Sequence, residues 1–318
     1  MVFIDLHTKK EVLCPSCALS LAIGNFDGVH IGHVVLIEKA RELAKKTGAT
    51  SGVWSFDAPP SDFLQGRGAV PQLSTLEEKI ETFASLGLDY AVFGDFAVLR
   101  NYSPGRFMEE ILWERCNCRA IVCGFNFRFA AKGSGKAEEL YDFFVSRGGD
   151  AAVIPAVTHK GEVVSSTYIR ALLEAGKTED AAVLLGRPYS ITAPVLHGKK
   201  LGRTIGIPTI NQEFPDGSVR VREGIYACVC EIGGERFFGV VNVGRRPTVE
   251  DNGGLNCETY IIDFDREVYG ERVKLSFYRR LRDEKRFSSL DELSAAVLEN
   301  AKEAKAYFEN LNKGGTDK

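Results

Sequence analysis

Leu19-Ser20-Leu21-Ala22-Ile23-Gly24-Asn25-Phe26-Asp27-Gly28-Val29-His30-Ile31-Gly32-His33 is the stretch from which the architecture is read. The first five residues are an apolar run, Gly24-Asn25 ends it, and apolar residues then recur at Val34, Leu36, Ile37, Ala40 and Leu43 up to Gly48. An apolar run, a glycine-bearing turn and an amphipathic repeat spell strand, loop and helix. Outward along the chain the unit recurs. Residues 51–56 read as a strand, 74–86 as a helix and 90–93 as a strand. Ser74 with Glu77 and Thr75 with Glu78 both match a capping box at that helix start. A helix over 105–114 precedes a strand over 120–123, a helix over 137–146 precedes a strand over 151–154, and helices over 166–185 close the segment. This alternation predicts a doubly wound parallel sheet of Rossmann-like α/β type, with ligands at the carboxyl ends of its strands.

After Leu185-Gly186-Arg187-Pro188 the pattern changes to short β-rich runs over 189–196, 224–232, 237–243, 258–264 and 273–281, punctuated by Gly, Pro and Asn. Turn signals such as Asp216-Gly217 and Gly233-Gly234 predict hairpins, so this half is expected to be a mainly antiparallel β-barrel. Leu290, Leu293, Val297, Ala301, Ala304, Phe308 and Leu311 then form one apolar stripe on a C-terminal helix expected to pack on the barrel. The expected domains are 1–183 and 184–318.

With 318 residues, 44% hydrophobic and 26% charged, the chain is long enough for two cores and is neither disordered nor collagen-like. A net charge of −3 offers no bulk attraction to nucleic acid or anionic lipid. No run approaches the roughly 18 apolar residues of a membrane helix, and the first residues carry charges of both signs. A cytoplasmic protein with no nucleic-acid or membrane partner is expected, as a monomer or weak homo-oligomer. Cys14-Pro15-Ser16-Cys17 has the spacing of half a zinc site, but no second pair matches it. Eight cysteines are too dilute for a disulfide scaffold and read as reduced thiols, mostly packed as small apolar groups, with no metal site among them.

The chemistry is expected first in the loop Gly24, Phe26, Asp27, Gly28, His30, His33. Glycines let a backbone approach a ligand, the helix start offers free N–H groups, and two imidazoles three residues apart can face one anion. Each imidazole can donate to phosphate oxygens, and a cationic one would stabilise developing charge. Ser166, Thr167 and Arg170 open a later helix, where hydroxyls could simply cap it, whereas an Arg one turn in can hold departing phosphates. A dinucleotide-dependent dehydrogenase is disfavoured because no Gly-x-Gly-x-x-Gly opens the first helix. Gly133-Ser134-Gly135-Lys136 only mimics the end of a P-loop.

These stretches resemble the nucleotidylyltransferase superfamily with the His-x-Gly-His signature, and Gly-Asn-Phe-Asp-Gly-Val-His-Ile-Gly-His resembles its FAD synthetase branch. The second half resembles riboflavin kinases through the segment 197–211, which ends in Pro208-Thr209-Ile210-Asn211. Further likenesses are Gly224-Ile225-Tyr226-Ala227, Asn242-Val243-Gly244-Arg245-Arg246-Pro247-Thr248, Glu258, and Leu281-Arg282-Asp283-Glu284-Lys285-Arg286-Phe287. The chain is thus similar, nearly throughout, to the prokaryotic bifunctional riboflavin kinase and FMN adenylyltransferase family. The resemblance implies FAD biosynthesis: ATP-dependent phosphorylation of riboflavin to FMN by the second domain, and adenylylation of FMN to FAD by the first.

It implies a kinase site with Glu258 as base and Thr209 and Asn211 on magnesium and phosphates. Gly198, Lys199, Gly202, Arg203 and Gly206 would form a flap over the nucleotide, and Arg282 would sit on the flavin side. In the first domain it implies catalytic His30 and His33, an ATP site of Gly24, Phe26, Asp27, Gly28, His30, His33, Ser166, Thr167 and Arg170, and Asn126 and Arg128 beside the adenosine and FMN. The aromatics of Phe125-Asn126-Phe127-Arg128-Phe129 could stack on ligand or pack in the core. Departures from the family pattern fall in the first half. Phe56-Asp57-Ala58-Pro59-Pro60 lacks an imidazole usual there, Asn126 replaces Asp, Ala130 replaces Gly, and Tyr168 replaces a basic residue. They raise the alternative of a monofunctional riboflavin kinase whose first half has become a flavin or nucleotide sensor.

Overall fold

The structure, a computed structural model, describes residues 1–5, 17–66, 68–198, 202, 206–245 and 255–314, which divide into two compact units, Met1–Ser166 and Thr167–Lys318. Cys14, Lys199, Lys200, Arg203 and Arg246-Pro247-Thr248 lie outside the described residues.

In the first unit, β1 (Val2–Asp5), β2 (Leu19–Ile23), β3 (Thr50–Phe56), β4 (Tyr90–Gly94), β5 (Cys118–Gly124) and β8 (Asp150–Ile154) form a six-stranded sheet in the order β1-β4-β3-β2-β5-β8, every pair parallel. The expected strands are thus present within a residue or two of their expected ends, and β1 joins them as an edge. Strand β2 is buried throughout and feeds two cores. Leu19, Leu21 and Ile23 face one cluster with Trp54, Ile111 and Phe144, whereas Ala22 faces another with Ile37, Val53 and Phe83. Two faces need two layers of cover, which is why a continuous apolar run rather than an alternating one marks this sheet.

Helix α1 (Ile31–Thr47) starts at His30 and ends at Gly48, whose left-handed φ of 69° lets its N–H reach the Ala44 carbonyl. Helices α2 (Pro60–Gln65), α3 (Leu76–Ser85), α4 (Phe96–Leu99), α5 (Pro104–Arg106) and α6 (Ala137–Ser146) complete the layers. The expected helix at 105–114 widens after α5 into a π-helix, Phe107–Arg115, where the Cys116 N–H reaches the Ile111 carbonyl. Of the two capping boxes only Thr75 and Glu78 form one. The Ser74 hydroxyl instead accepts from the Gly28 N–H at 3.0 Å. Gly135-Lys136 is strand β7, paired with β6 (Arg128–Phe129), and a Cβ on Gly135 would stand 2.6 Å from the Phe129 ring. That glycine serves packing, not a phosphate cradle. A short ribbon, β9 (Thr158–His159) with β10 (Glu162–Val163), precedes the boundary.

Contacts divide the chain at 166/167, so that nearly all of α7 (Ser166–Glu174) and the whole of α8 (Thr178–Leu185) fall in the second unit. Thr178 Oγ1 donates to the Tyr278 carbonyl at 2.9 Å, and the Arg222 N–H reaches the Leu173 carbonyl at 3.1 Å. The second unit is a six-stranded antiparallel sheet ordered β11 (Tyr189–Pro194), β16 (Arg272–Arg282), β13 (Gly224–Ile232), β14 (Glu235–Arg245), β15 (Leu255–Ile261), β12 (Thr209–Glu213). Its two end strands curl together: Leu196 bridges Asn211, and Gln212 Nε2 on β12 donates to the carbonyls of Ala193 and Val273 at 2.9 and 2.8 Å. Gly233 and Gly234, both at positive φ, make the tight β13–β14 hairpin. Strand β12 coincides with the Thr209-to-Asn211 motif, so the motif is strand rather than loop.

The C-terminal helix α9 (Leu290–Gly314) uses its stripe in two ways. Ala301, Ala304 and Phe308 are buried against Ile225, Val229 and Val240, whereas Leu293 and Val297 border open space over the barrel face. The seven described cysteines are free thiols, six of them buried, and Cys17 accepts from the Thr50 hydroxyl at 3.1 Å.

Candidate active sites

In the first unit the sheet reverses its winding between β2 and β5, so the loops after these strands share the crevice where ligands bind. The loop after β2 is held in an unusual shape. Phe26 and Val29 have positive φ of 51° and 41°, uncommon for any side chain and an outlier for a β-branched one. Such strain persists only where surroundings over-determine the backbone. The surroundings are specific: Asp27 Oδ1 accepts from the Leu73 N–H at 2.8 Å, and the Asn25 carbonyl accepts from Ser55 Oγ at 3.3 Å and Lys79 Nζ at 3.2 Å. Ser166 Oγ donates to the Asp27 carbonyl at 2.9 Å, bringing the start of α7 to the loop.

Phe26 and Asp27, expected at the ATP site, have side chains turned into the protein. Phe26 is fully buried, edge-on to Phe83 and to His33, and Asp27 is only 2% exposed. Both shape the loop, whose ligand-facing assets are backbone and the two imidazoles.

His30 and His33 stack with ring centroids 3.6 Å apart. Gly32 makes room, since a Cβ there would stand 3.1 Å from the His30 ring. Burial lowers the His30 pKa to about 4, and burial together with His30 and Lys79 holds His33 well below 6.5. Both rings are therefore neutral at physiological pH in the ligand-free site, and a cationic imidazole is not its resting state. His30 Nδ1 accepts from the His33 N–H at 3.3 Å, which puts the His30 proton on Nε2 as a free donor.

Beyond β5, the Phe127 N–H closes a turn on the Gly124 carbonyl, leaving Asn126 and Arg128 exposed. The aromatics there divide: Phe129 is core, Phe127 stacks on it at 5.9 Å, and Phe125 is 50% exposed. Ala130 adopts φ 62° and ψ −164°, a region suited to glycine. Thr167 and Arg170 belong to the second unit, where Arg170 Nη2 donates to Thr167 Oγ1 at 3.1 Å.

In the second unit, register builds the site. Asn211 pairs with Glu258, Glu258 with Asn242, Asn242 with Ile225, and Ile225 with Arg282. Directly opposed residues share a face, so one row crosses five strands. Four of these residues, Glu258, Asn242, Ile225 and Arg282, line a cavity of about 210 Å³ beneath the first half of α9. Thr209 Oγ1 donates to Glu258 Oε1 at 2.9 Å at its polar end. Thr209 also lines a second cavity of about 340 Å³, bounded by Arg266 and Tyr269. Asn211 Oδ1 accepts from Asn256 Nδ2 at 3.0 Å, and a Cβ on Gly198 would stand 2.5 Å from Asn211 Nδ2. Gly202 likewise admits the Ile207 carbonyl, whose residue's N–H returns to the Gly202 carbonyl at 2.8 Å. Gly206 has φ of 72°. Arg282 Nε donates to Asn300 Oδ1 at 3.1 Å, tying the row to α9.

Lys79 escaped the sequence reading, and Ser74 and Asn242 were read only as a helix cap and as part of a family likeness. Lys79 carries a local signal, a cation in the first turn of an acidic helix start.

Comparison with known proteins bears on both constellations. The FAD synthetase family model matches residues 15–168, and the riboflavin kinase model matches 185–308. The bifunctional riboflavin kinase/FMN adenylyltransferase of Bacillus subtilis is 35% identical over 312 residues, covering 96% of this chain and 97% of its own. That of Listeria monocytogenes is 34% identical over 293 residues, covering 92% and 93%. The chain belongs to the bifunctional riboflavin kinase/FMN adenylyltransferase family. Both catalytic domains are present, so it makes FMN from riboflavin and FAD from FMN, with ATP as co-substrate. The monofunctional alternative is not favoured. A solved structure described as the macrolide-efflux protein of Streptococcus pneumoniae is also similar, with TM-score 0.84 and 27% identity over 95% of this chain and 98% of that one. Among the described residues here, no helix is long and apolar enough to cross a membrane.

Proposed function

We propose a division of labour in which Glu258 is the kinase base and His30 and His33 are the electrophilic donors of adenylyl transfer. The observation that carries it is that each unit has its own polar constellation bordering ligand space: a carboxylate fixed by a hydroxyl, and a stacked pair of neutral imidazoles.

In the kinase unit the flavin ring system occupies the cavity under α9, between Ile225, Val240 and Tyr260 on the barrel and Leu293 and Val297 on the helix. Its 5′-hydroxyl then points to the polar end. Glu258 removes the hydroxyl proton as the oxygen bonds to the γ-phosphorus and the bond to the β-phosphate oxygen breaks, releasing ADP. The Thr209 hydroxyl spends its proton on Glu258, which orients the carboxylate and leaves oxygen lone pairs outward. Thr209 and Asn211 offer oxygen donors, which would fit magnesium as a hard cation. Magnesium held there supplies charge neutralisation for the nucleotide phosphates. Gly198, Gly202 and Gly206 border those phosphates.

In the first unit an FMN phosphate oxygen bonds to the α-phosphorus of ATP while the bond to the β-phosphate oxygen breaks, and pyrophosphate leaves. His30 Nε2–H donates to the α-phosphate oxygens where charge builds, with backbone N–H groups at the start of α1. Ser166 borders the leaving pyrophosphate, and Asn126 and Arg128 border FMN.

Separating flavins by chromatography after incubation with ATP and magnesium tests the division. His30→Ala is expected to abolish FAD formation and keep FMN formation. Glu258→Gln should stop FMN formation and leave conversion of supplied FMN to FAD intact. Loss of both activities in either variant, with the fold intact, would overturn it.

A further inference from the structure

Helix α3 carries an inconsistency that no part of the reaction scheme above uses. Lys79 is 4% exposed, in the first turn of a helix whose dipole disfavours a cation there. Buried charges are retained only where something compensates them. Burial lowers the Lys79 pKa and Asp27 offsets part of that cost, while Lys79 Nζ donates to the Asn25 carbonyl of the loop at 3.2 Å. One turn on, Phe83 on the same face packs edge-on against Phe26, which in turn packs edge-on against His33. A single face of α3 therefore touches the loop by charge and by shape.

We infer that Lys79 is a positioning residue for adenylyl transfer, supplying from behind the loop the fixed positive charge that two neutral imidazoles cannot, and locking the Asn25 peptide so that the loop stays open to an α-phosphate. The inference rests on the reading of this loop as the adenylyl-transfer site. The titratable groups concerned are His30 on α1 and Lys79 on α3, which face His33, and Asp27, which faces Lys79 from the loop. Lys79 acts through Asn25 and His33 rather than by touching substrate. Burial first, then His30 and Lys79, keep His33 neutral, and Lys79 adds to that effect.

The test uses the full chain with Lys79→Gln, which keeps an N–H donor for Asn25 and removes the charge, and Lys79→Arg, which keeps the charge. FMN formation is the internal control, and emission of Trp54 and Trp113, both in the first unit, reports that unit's fold. For Lys79→Gln, kcat/KM for FAD formation should fall at least tenfold with FMN formation unchanged. The His33 ring should titrate at higher pH by NMR, a readout that a purely structural role leaves still. Lys79→Arg should recover most of the loss, and it decides the matter if Lys79→Gln unfolds the first unit. The inference is overturned if Lys79→Gln forms FAD within twofold of wild type. It is equally overturned if FAD formation is lost without movement of the His33 titration, or if a folded Lys79→Arg is as inactive as the Gln variant. Failure of the underlying site reading looks different, because His30→Ala would then keep FAD formation.

Discussion

The neutral histidine pair makes the first unit sensitive to acid by a calculable amount. Burial lowers His30 from the ordinary 6.5 to about 4. As pH falls through 6.5 the unfolded chain takes up a proton that folded His30 refuses until about 4, so stability is lost across that window and not further below it. At 1.36 kcal/mol per unit, the loss between about pH 7 and about pH 5 is roughly 2 kcal/mol from His30, and buried His33 acts in the same direction. His30→Asn is the control, because Asn also serves at the first position of a helix and cannot titrate here. Urea unfolding followed by Trp54 and Trp113 emission reads the first unit alone. Wild type should lose about 2 kcal/mol more than His30→Asn between the two pH values, carboxylate contributions cancelling in the difference. Equal losses in the two proteins would refute the claim that this imidazole is buried uncharged.

Three further outcomes are expected. ATP binding brings anionic phosphates against neutral His30, so it should be accompanied by proton uptake below about pH 6.5, seen as a buffer-dependent calorimetric heat that His30→Asn lacks. Ala130→Gly relieves a backbone geometry suited to glycine, and should raise first-unit stability in urea by about 1 kcal/mol after the glycine entropy cost. Asn242 Oδ1 is buried without a hydrogen-bond partner in the wall of the cavity under α9 proposed for the flavin. Asn242→Leu should therefore slow heat inactivation of the kinase while raising KM for riboflavin about tenfold, the worth of roughly one hydrogen bond, with FAD formation from FMN unchanged.

The doubly wound sheet was legible because its strands are buried on both faces. Leu19 to Ile23 has no alternation to confuse with an amphipathic strand, and each following helix announces itself by period and cap. The barrel was legible from glycine-rich turns such as Gly233-Gly234. Strand β12 escaped because Thr209, Asn211 and Gln212 break the apolar pattern. Gln212 is buried not as an apolar residue but because its amide reaches two carbonyls across the closing strands. The short helices α7 and α8 have too few residues to show from sequence which core they serve.

Candidate site residues divide in the same way. His30 and His33 are marked by residue type and spacing, and Thr209, Asn211 and Glu258 by the family resemblance, whereas the contacts of Ser74 and Lys79 with the loop 46 or 54 residues away appear only in the fold. Protonation is also hidden from a sequence reading: two adjacent histidines invite a cationic site, and burial makes them neutral. The altered segment Phe56-Asp57-Ala58-Pro59-Pro60 then carries less weight than its composition suggests. Phe56 is locked edge-on between Trp54 and Phe96, Pro59 precedes α2 and Pro60 opens it, so aromatic packing and two fixed φ angles hold this turn without an imidazole. The substitution subtracts one hydrogen-bond donor from the rim of the crevice. It leaves intact the loop after β2, held by Ser55, Leu73, Ser74, Lys79 and Ser166, which is the loop proposed for adenylyl transfer.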